Sequence, residues 1–570
     1  MEDTRHFLRK NDSILIIALL ALLAFLTQNV FRYVDDNSLT SWKWTFVGLD
    51  AARIFFLLLT GITVAYLFSR YSFLEKNPVI FLFLVSFILG ALFWQEPEVI
   101  LDTSRYFTQA KHLETYGIGY FVDEWGTGIK VWTDLPLVPF LYGLIFKFFG
   151  ESRLYIQIFT TSLFSLTAIF TYLIGEMLWD SDTGFYGGIL LLGIPFLFTQ
   201  VPLMLVDVPT MFFLTFAVFS FIMALNRGGI WVVISSFAIF LAVFAKYSTW
   251  LMLSVLIVAL LVYLMKSETQ RSKMLYRGVS IAMLSFLFAG IIIINKFDVI
   301  SGQISLLNEY QKPGLRRWGE SFISTFFFQT HPFVTIAALY SVYAAFKKRD
   351  IKYLIILWLV LLIFALQVKR ARYTLIVFPM FTLMASYGLQ MIKNMEVKRF
   401  IVFCAVFSSL IVAGFSYLPF LKNMSTVNLK NAGAFLNTIN TDSTKVYILP
   451  AKETLVNPAV AVPVLDLFTD RAVHYEYDTG LLPSFESVKE SSVRFTWEFT
   501  NPEYYVSDGN AIRDEAIVII SNNLNNKIPL NIEKEIEGYK LAGRFMSSSG
   551  MFLYNPMVTV YQLKEGQLYP

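Results

Sequence analysis

The chain has 570 residues, of which 56% are hydrophobic and 15% charged, with a net charge of +4 and a mean hydropathy of +0.57. Soluble domains carry about 25% charged residues, so this composition excludes a soluble enzyme, a disordered chain and a nucleic-acid binder. The single cysteine excludes a disulfide framework and a cysteine-based zinc site.

A helix that crosses a bilayer needs about 20 mostly apolar residues. Thirteen such stretches are predicted: 13–31, 49–68, 78–95, 153–177, 184–202, 208–225, 230–246, 248–265, 275–294, 331–346, 352–367, 371–392 and 398–420. The first lacks a small-residue cleavage site and is expected to stay as an anchor. Residues 96–152 form a long polar loop. Within it Pro136 to Phe149 is apolar but too short to cross, and is expected to be an interfacial or re-entrant helix. Clusters such as Arg5, Arg9 and Lys10, or Lys347, Lys348 and Arg349, put the N-terminus in the cytoplasm by the positive-inside trend. Thirteen crossings then put the 96–152 loop and the C-terminus outside.

Residues 1–420 read as one transmembrane unit, and 421–570 as a soluble extracytoplasmic α/β domain. In the tail, apolar runs shorten to strand length at Val446–Leu449, Ala516–Ile520, Met551–Tyr554 and Val558–Leu563, after an amphipathic helix over Asn428–Ile439. The fold class expected is a polytopic α-helical membrane protein carrying this domain.

Ionisable residues at membrane depth or at its edge are costly and mark functional sites. Asp102 opens a helical stretch in which Tyr106, Ala110 and Leu113 share a face; a helix N-cap is its alternative role. Asp207 stands between two apolar runs with Pro209 in the first turn, again a cap position. Lys246 lies between two spans, where a lysine also snorkels to the surface. Lys369, Arg370 and Arg372 form a cationic cluster on the expected outer face, and the loop 295–330 holds Asp298, Tyr310, Lys312, Arg316, Arg317 and Trp318. Two acids and several cations thus gather on one face. Arginine forks and a lysine point charge suit a phosphate; a carboxylate suits removal of a proton from an incoming hydroxyl or amine.

These residues fall in an order that resembles the membrane glycosyltransferases of the GT-C fold, in the group that includes protein O-mannosyltransferases and the lipid A aminoarabinose transferase. The likeness spans about residues 96–392. It comprises Asp102-Thr103-Ser104-Arg105-Tyr106 after a span, the apolar helix LPLVPFLYGLIFKFFG, Val206-Asp207-Val208-Pro209, Ala245-Lys246-Tyr247, and Arg372-Tyr373 followed by Pro379. The resemblance implies that Asp102 is the catalytic base or its close partner and Asp207 the second acid. It implies donor-phosphate contacts from Lys246, Arg370 and Arg372, and substrate contacts from Arg105, Tyr106, Asp134 and Tyr373. It departs from the family at Thr103, where a Glu is common, and at Asp134-Leu135, where a Lys follows the acid. The oligosaccharyltransferase signature WWDYG is absent.

The reaction so implied is inverting transfer of one sugar from a polyprenyl phosphate to an outer-face protein, lipid or glycan. No cofactor is required, although Asp102 and Asp207 could take a divalent cation. A transporter or flippase of lipid-linked sugars is the competing expectation, and a non-catalytic partner in a glycan-assembly complex a third.

Overall fold

The computed structural model describes residues 2–564 apart from 32–44, 47–48, 72–75, 268, 313–320, 450–455, 477–487, 489–490, 492, 507–514, 523–526 and 548–553. Arg316, Arg317 and Trp318 lie outside the described residues.

Most of the chain is helical, and it is a multi-pass membrane protein. Among the described residues seven helices are long and apolar enough to cross a bilayer: Asn11–Val30, Ala51–Ser69, Arg153–Leu178, Asp207–Arg227, Ser248–Lys266, Arg271–Asn295 and Met395–Lys422. Length and composition therefore mark fewer spans than the thirteen expected. Pro78–Ala91, Ile230–Ala245 and Tyr353–Ala365 are apolar but shorter. The stretch 184–202 is broken into Ser181–Leu190, a 3-10 turn at Leu191–Gly193 and Pro195–Phe198. The cause is Pro195, which lacks an N–H and disfavours helix in the residue before it. Every residue from 183 to 206 is buried, so this irregular backbone sits inside protein, where it is tolerated.

Asp207–Arg227 is the central helix, with 94% of its most apolar window buried. By contrast Arg271–Asn295 exposes Phe286, Met283 and Ile294, an apolar surface suited to lipid.

The 96–152 loop folds into two helices, Thr103–Glu124 and Leu137–Phe149. The expected face is present: Tyr106, Ala110 and Leu113 are all buried. The two helices pack closely at Gly143, where a Cβ would come within 2.7 Å of Leu113 Cβ and 2.9 Å of the Ala110 carbonyl. Gly117, at φ +94°, kinks the first helix; L side chains rarely adopt that conformation.

Residues 443–563 form a five-stranded sheet in the order β2-β1-β3-β5-β4. The strands are β1 (Ser443–Ile448), β2 (Ala472–Tyr475), β3 (Glu515–Ser521), β4 (Tyr539–Phe545) and β5 (Met557–Leu563). β1 pairs in parallel with β2 and β3, whereas β5 is antiparallel to β3 and β4. The expected helix runs over Val427–Leu436, and Leu429, Ala432 and Leu436 are buried in the sheet's core. Of the run expected at Met551–Tyr554, residues 551–553 lie outside the described residues and Tyr554 is not in a strand. β2 and β4 escaped prediction because each mixes charged or polar residues into a short run.

A buried ionic junction ties this domain to the loop. Lys111 Nζ donates to Asp466 at 2.6 Å and to Glu151 at 3.1 Å, and the Tyr505 hydroxyl donates to Asp466 at 2.7 Å. Two carboxylates thus lean on one ammonium. Burial and the Asp466 charge push the Glu151 carboxyl up to about 8, against the pull of Lys111. Its ordinary value is 4.5, so the folded chain holds more protons here than the unfolded one between about 4.5 and 8. Glu151's contribution is therefore favourable at low pH and is lost as pH rises through that window. Thermal midpoints measured from about pH 6 to 8.5 should fall in the wild type and fall less in Glu151→Gln, with the variant gaining most at high pH. Parallel slopes in the two proteins would show that Glu151 does not titrate at the junction.

Candidate functional site

The site is assembled from five segments distant in sequence, and a second buried pair fixes two of them. Arg153, at the start of its helix, donates to Glu98 at 2.8 Å. Glu98 also accepts from Thr103 at 2.9 Å and from the Met204 backbone at 3.2 Å. Glu98 is fully buried and Arg153 nearly so. This pair therefore clamps the segment that leads into Asp102 onto the segment that leads into Asp207. Sequence reasoning passed over both residues, although a Glu and an Arg flanking apolar runs near a membrane edge are the kind of signal that marked Asp102.

Neither acid acts as a side-chain helix cap. Asp102 stands at the cap position of Thr103–Glu124 but makes no capping bond. Its Oδ1 accepts from Arg105 Nη2 at 2.6 Å and its Oδ2 from Arg372 Nη1 at 2.5 Å. Arg372 Nε donates to Asp207 Oδ2 at 2.6 Å, and Lys246 Nζ donates to Asp207 Oδ1 at 2.6 Å. At the other end Arg105 Nη2 lies 3.2 Å from Asp134 Oδ1, and Gln109 donates to Asp134 Oδ2 at 3.2 Å. The result is a continuous chain of alternating charge: Asp134, Arg105, Asp102, Arg372, Asp207, Lys246. Charge-assisted bonds of this length are the strong ones.

Burial acts on the Asp102 carboxyl by raising it, but Arg372, Arg105 and Arg370 outweigh that and hold it well below the usual carboxylate range. Asp134 goes the other way: burial and the Asp102 charge lift it, against the pull of Arg105 and Gln109. Neighbouring acids pushed apart in this way are a feature of acid–base sites.

The chain of charge borders a cavity of about 370 Å³. Asp102, Arg105, Asp134, Lys246, Arg372 and Tyr373 all line it, as does Tyr106. Asp207 does not; it sits behind Lys246 and Arg372 and holds both. Arg370 also lies outside this cavity. It donates to the Tyr373 hydroxyl at 3.2 Å and lines a separate cavity of about 60 Å³ on the other side of Arg372. Leu251, Leu366 and Ile376 give the main cavity an apolar wall beside the charges, a surface suited to a lipid chain with an ionic head. From the 295–330 loop, Gln311 donates to Thr133 at 2.5 Å and Gln303 to the Asp134 backbone at 3.1 Å.

Two nitrogens in this network are unpaired. Arg105 Nε and Nη1 are buried and have no hydrogen-bond partner among the described residues. A buried donor left unpaired is costly, and here both belong to a residue on the wall of a cavity. The oxygens that a divalent cation would take are already held: Asp102 by two arginines, and Asp207 by Arg372 and Lys246. Among the described residues no group of three His, Cys, Asp or Glu is placed to hold a metal. The donor set does not fit a carboxylate-bound cation.

The fold around this site is GT-C. Residues 134–292 match the family model for dolichyl-phosphate-mannose-protein mannosyltransferase. The chain is similar in structure to ArnT from Cupriavidus metallidurans bound to undecaprenyl phosphate, at a TM-score of 0.52 and 11% identity, covering 85% of this chain and 98% of that one. The apo state of the same protein matches equally, over 85% and 97%. The archaeal oligosaccharyltransferase AglB from Archaeoglobus fulgidus aligns at a TM-score of 0.49 and 12% identity, over 79% of this chain and 70% of that one. No curated protein matches the chain in sequence.

Proposed function

We propose that this chain is an inverting glycosyltransferase that moves one sugar from a polyprenyl phosphate to an acceptor on the outer face of the membrane. The observation that carries this reading is one cavity with an apolar wall, an ionised carboxylate, two cations held by a rear acid, and an arginine with two unpaired nitrogens. The mannosyltransferase family model over residues 134–292 and the undecaprenyl phosphate bound to the similar ArnT structure support it.

In this reading the donor's phosphate competes with Asp102 for the Nη1 and Nη2 end of Arg105 and draws on Arg372 and Lys246. Asp207 orients those two cations, and Arg370 adds positive charge from behind. Asp102 is the base. In the structure both its oxygens are held by arginines, which makes it a weak proton acceptor. A phosphate that competes for the same arginines frees the carboxylate and raises its basicity, so that the base is switched on by donor binding. The acceptor's O–H or N–H then gives its proton to Asp102, and the acceptor atom bonds to the anomeric carbon from the face opposite the phosphate. The bond between that carbon and the phosphate oxygen breaks, and polyprenyl phosphate leaves as a monoester dianion. The growing negative charge falls where Arg105, Arg372 and Lys246 already point, so the transition state gains more than the ground state. The N-terminus is cytoplasmic, and the C-terminal domain lies outside with the cavity.

The test uses purified full-length chain with synthetic polyprenyl-phosphate sugars, scoring transfer to acceptor and hydrolysis of donor together. Release of polyprenyl phosphate with an inverted product is expected. Movement of the intact donor across proteoliposomes, without cleavage by any donor and acceptor pair, would overturn the reading in favour of a transporter.

A further inference from the structure

We propose that the C-terminal domain supplies a positioning residue to the membrane site: Phe495 holds the Arg105 guanidinium flat, in the plane in which it meets the donor's phosphate. This rests on the phosphate role given to Arg105 above.

Three contacts bring residues 491 and 493–497 over the site. The Arg105 guanidinium carbon lies 4.6 Å from the centre of the Phe495 ring, with Tyr106 at 5.5 Å. Arg494 lies 5.5 Å from the Trp132 ring and 5.2 Å from the Tyr310 ring. Tyr310 donates to the Ser491 carbonyl, which ties the 295–330 loop to the same segment. Phe495 touches the charged network directly, at Arg105.

A guanidinium is planar and weakly hydrated, and it stacks on aromatic faces. Nη2 of Arg105 is pinned by Asp102 and Asp134, so the fork can still swing about that anchor. A ring against its face limits the swing and keeps water off the unpaired Nε and Nη1. Those two atoms lie on opposite sides of the fork, so a phosphate grips the end-on pair Nη1 and Nη2 in the plane the ring sets, in competition with Asp102. An uncharged lipid alcohol makes no such demand. Phe495 therefore acts through Arg105 on the anionic head and has no part in holding the lipid chain.

The experiment compares binding of undecaprenyl phosphate and of undecaprenol to the full chain in nanodiscs, for wild type, Phe495→Ala, Phe495→Tyr and Tyr505→Phe. Loss of a desolvated stacking contact predicts roughly fivefold to tenfold weaker binding of the phosphate in Phe495→Ala, with the alcohol unchanged. Phe495→Tyr should restore the phosphate preference. Tyr505→Phe disturbs the same domain at its other junction and should leave the preference as in wild type. Thermal midpoints are recorded for all four. A Phe495→Ala protein that keeps the full preference overturns the proposal. So does one that loses phosphate and alcohol binding equally, since a collapsed domain would do that. If the wild type itself shows no preference for the phosphate, the donor reading fails first and takes this proposal with it.

Discussion

Replacing Arg372 with glutamine should cut glycosyl transfer by about a thousandfold and also destabilise the folded chain, an effect that few single changes at a site produce. The guanidinium is 6% exposed and bridges Asp102 and Asp207 through two different nitrogens. Without it Asp207, which is 1% exposed, keeps only Lys246. Breaking a buried ion pair by removing one partner costs about 3–5 kcal/mol, because a charge is left uncompensated. The chemical loss adds to this, since removing one donor that stabilises a transition-state charge costs roughly 10²–10³ in rate. Arg372→Lys should recover part of the stability but little of the rate, because an ammonium is a point charge without the rigid planar fork whose Nε and Nη1 reach Asp207 and Asp102. Thermal unfolding of the detergent-solubilised protein, read beside single-turnover transfer, separates the two losses. A glutamine variant as stable as wild type would mean that the two acids find other partners and that the charge chain is not a unit.

Asp102→Asn makes the opposite prediction for binding. The substitution keeps the shape and removes the charge. Transfer should fall by roughly 10²–10⁴, the range for a lost general base. Yet polyprenyl phosphate should bind more tightly than in wild type, by several-fold, because Arg105 and Arg372 no longer have Asp102 as a competitor for the phosphate. Tighter binding with lost turnover is a signature that misfolding does not give. If Asp102→Asn retains full transfer, Asp102 is not the base, and Asp134, whose carboxyl lies above its usual range, becomes the residue to test.

The sites of chemistry were more legible in the sequence than the way the chain reaches them. Asp102, Asp207, Lys246 and Arg372 stood out because each is a charge beside apolar runs, where charge is expensive. The structure links all four in one network. Arg105 and Asp134 came only through the resemblance, since an Arg and an Asp in a polar loop are unremarkable by themselves. The Glu98–Arg153 pair was missed because both residues sit at loop edges, where charges usually meet water; only the fold reveals that they are buried. The count of spans was the weakest reading. Hydropathy registers the apolar content of 184–202 but not the break that Pro195 imposes. Phe495 could not be found from sequence at all, because its partner Arg105 is 390 positions away and nothing in a lone phenylalanine announces a cation.

The alternating chain has a consequence for traffic in the membrane. Its three acids and three cations cancel, which leaves Arg370 and the cavity-lining Lys312 as the surplus positive charge that draws anionic headgroups. Ordinary anionic phospholipids greatly outnumber any sugar carrier, and a strongly cationic site would be clogged by them. Cancellation makes entry a matter of fit, because a guest must offer oxygens in the plane of an arginine edge before the network rearranges to receive it. Under the proposed reaction the same arrangement helps at the end: the spent carrier holds two negative charges, and the site's own acids are poised to reclaim the cations as it leaves.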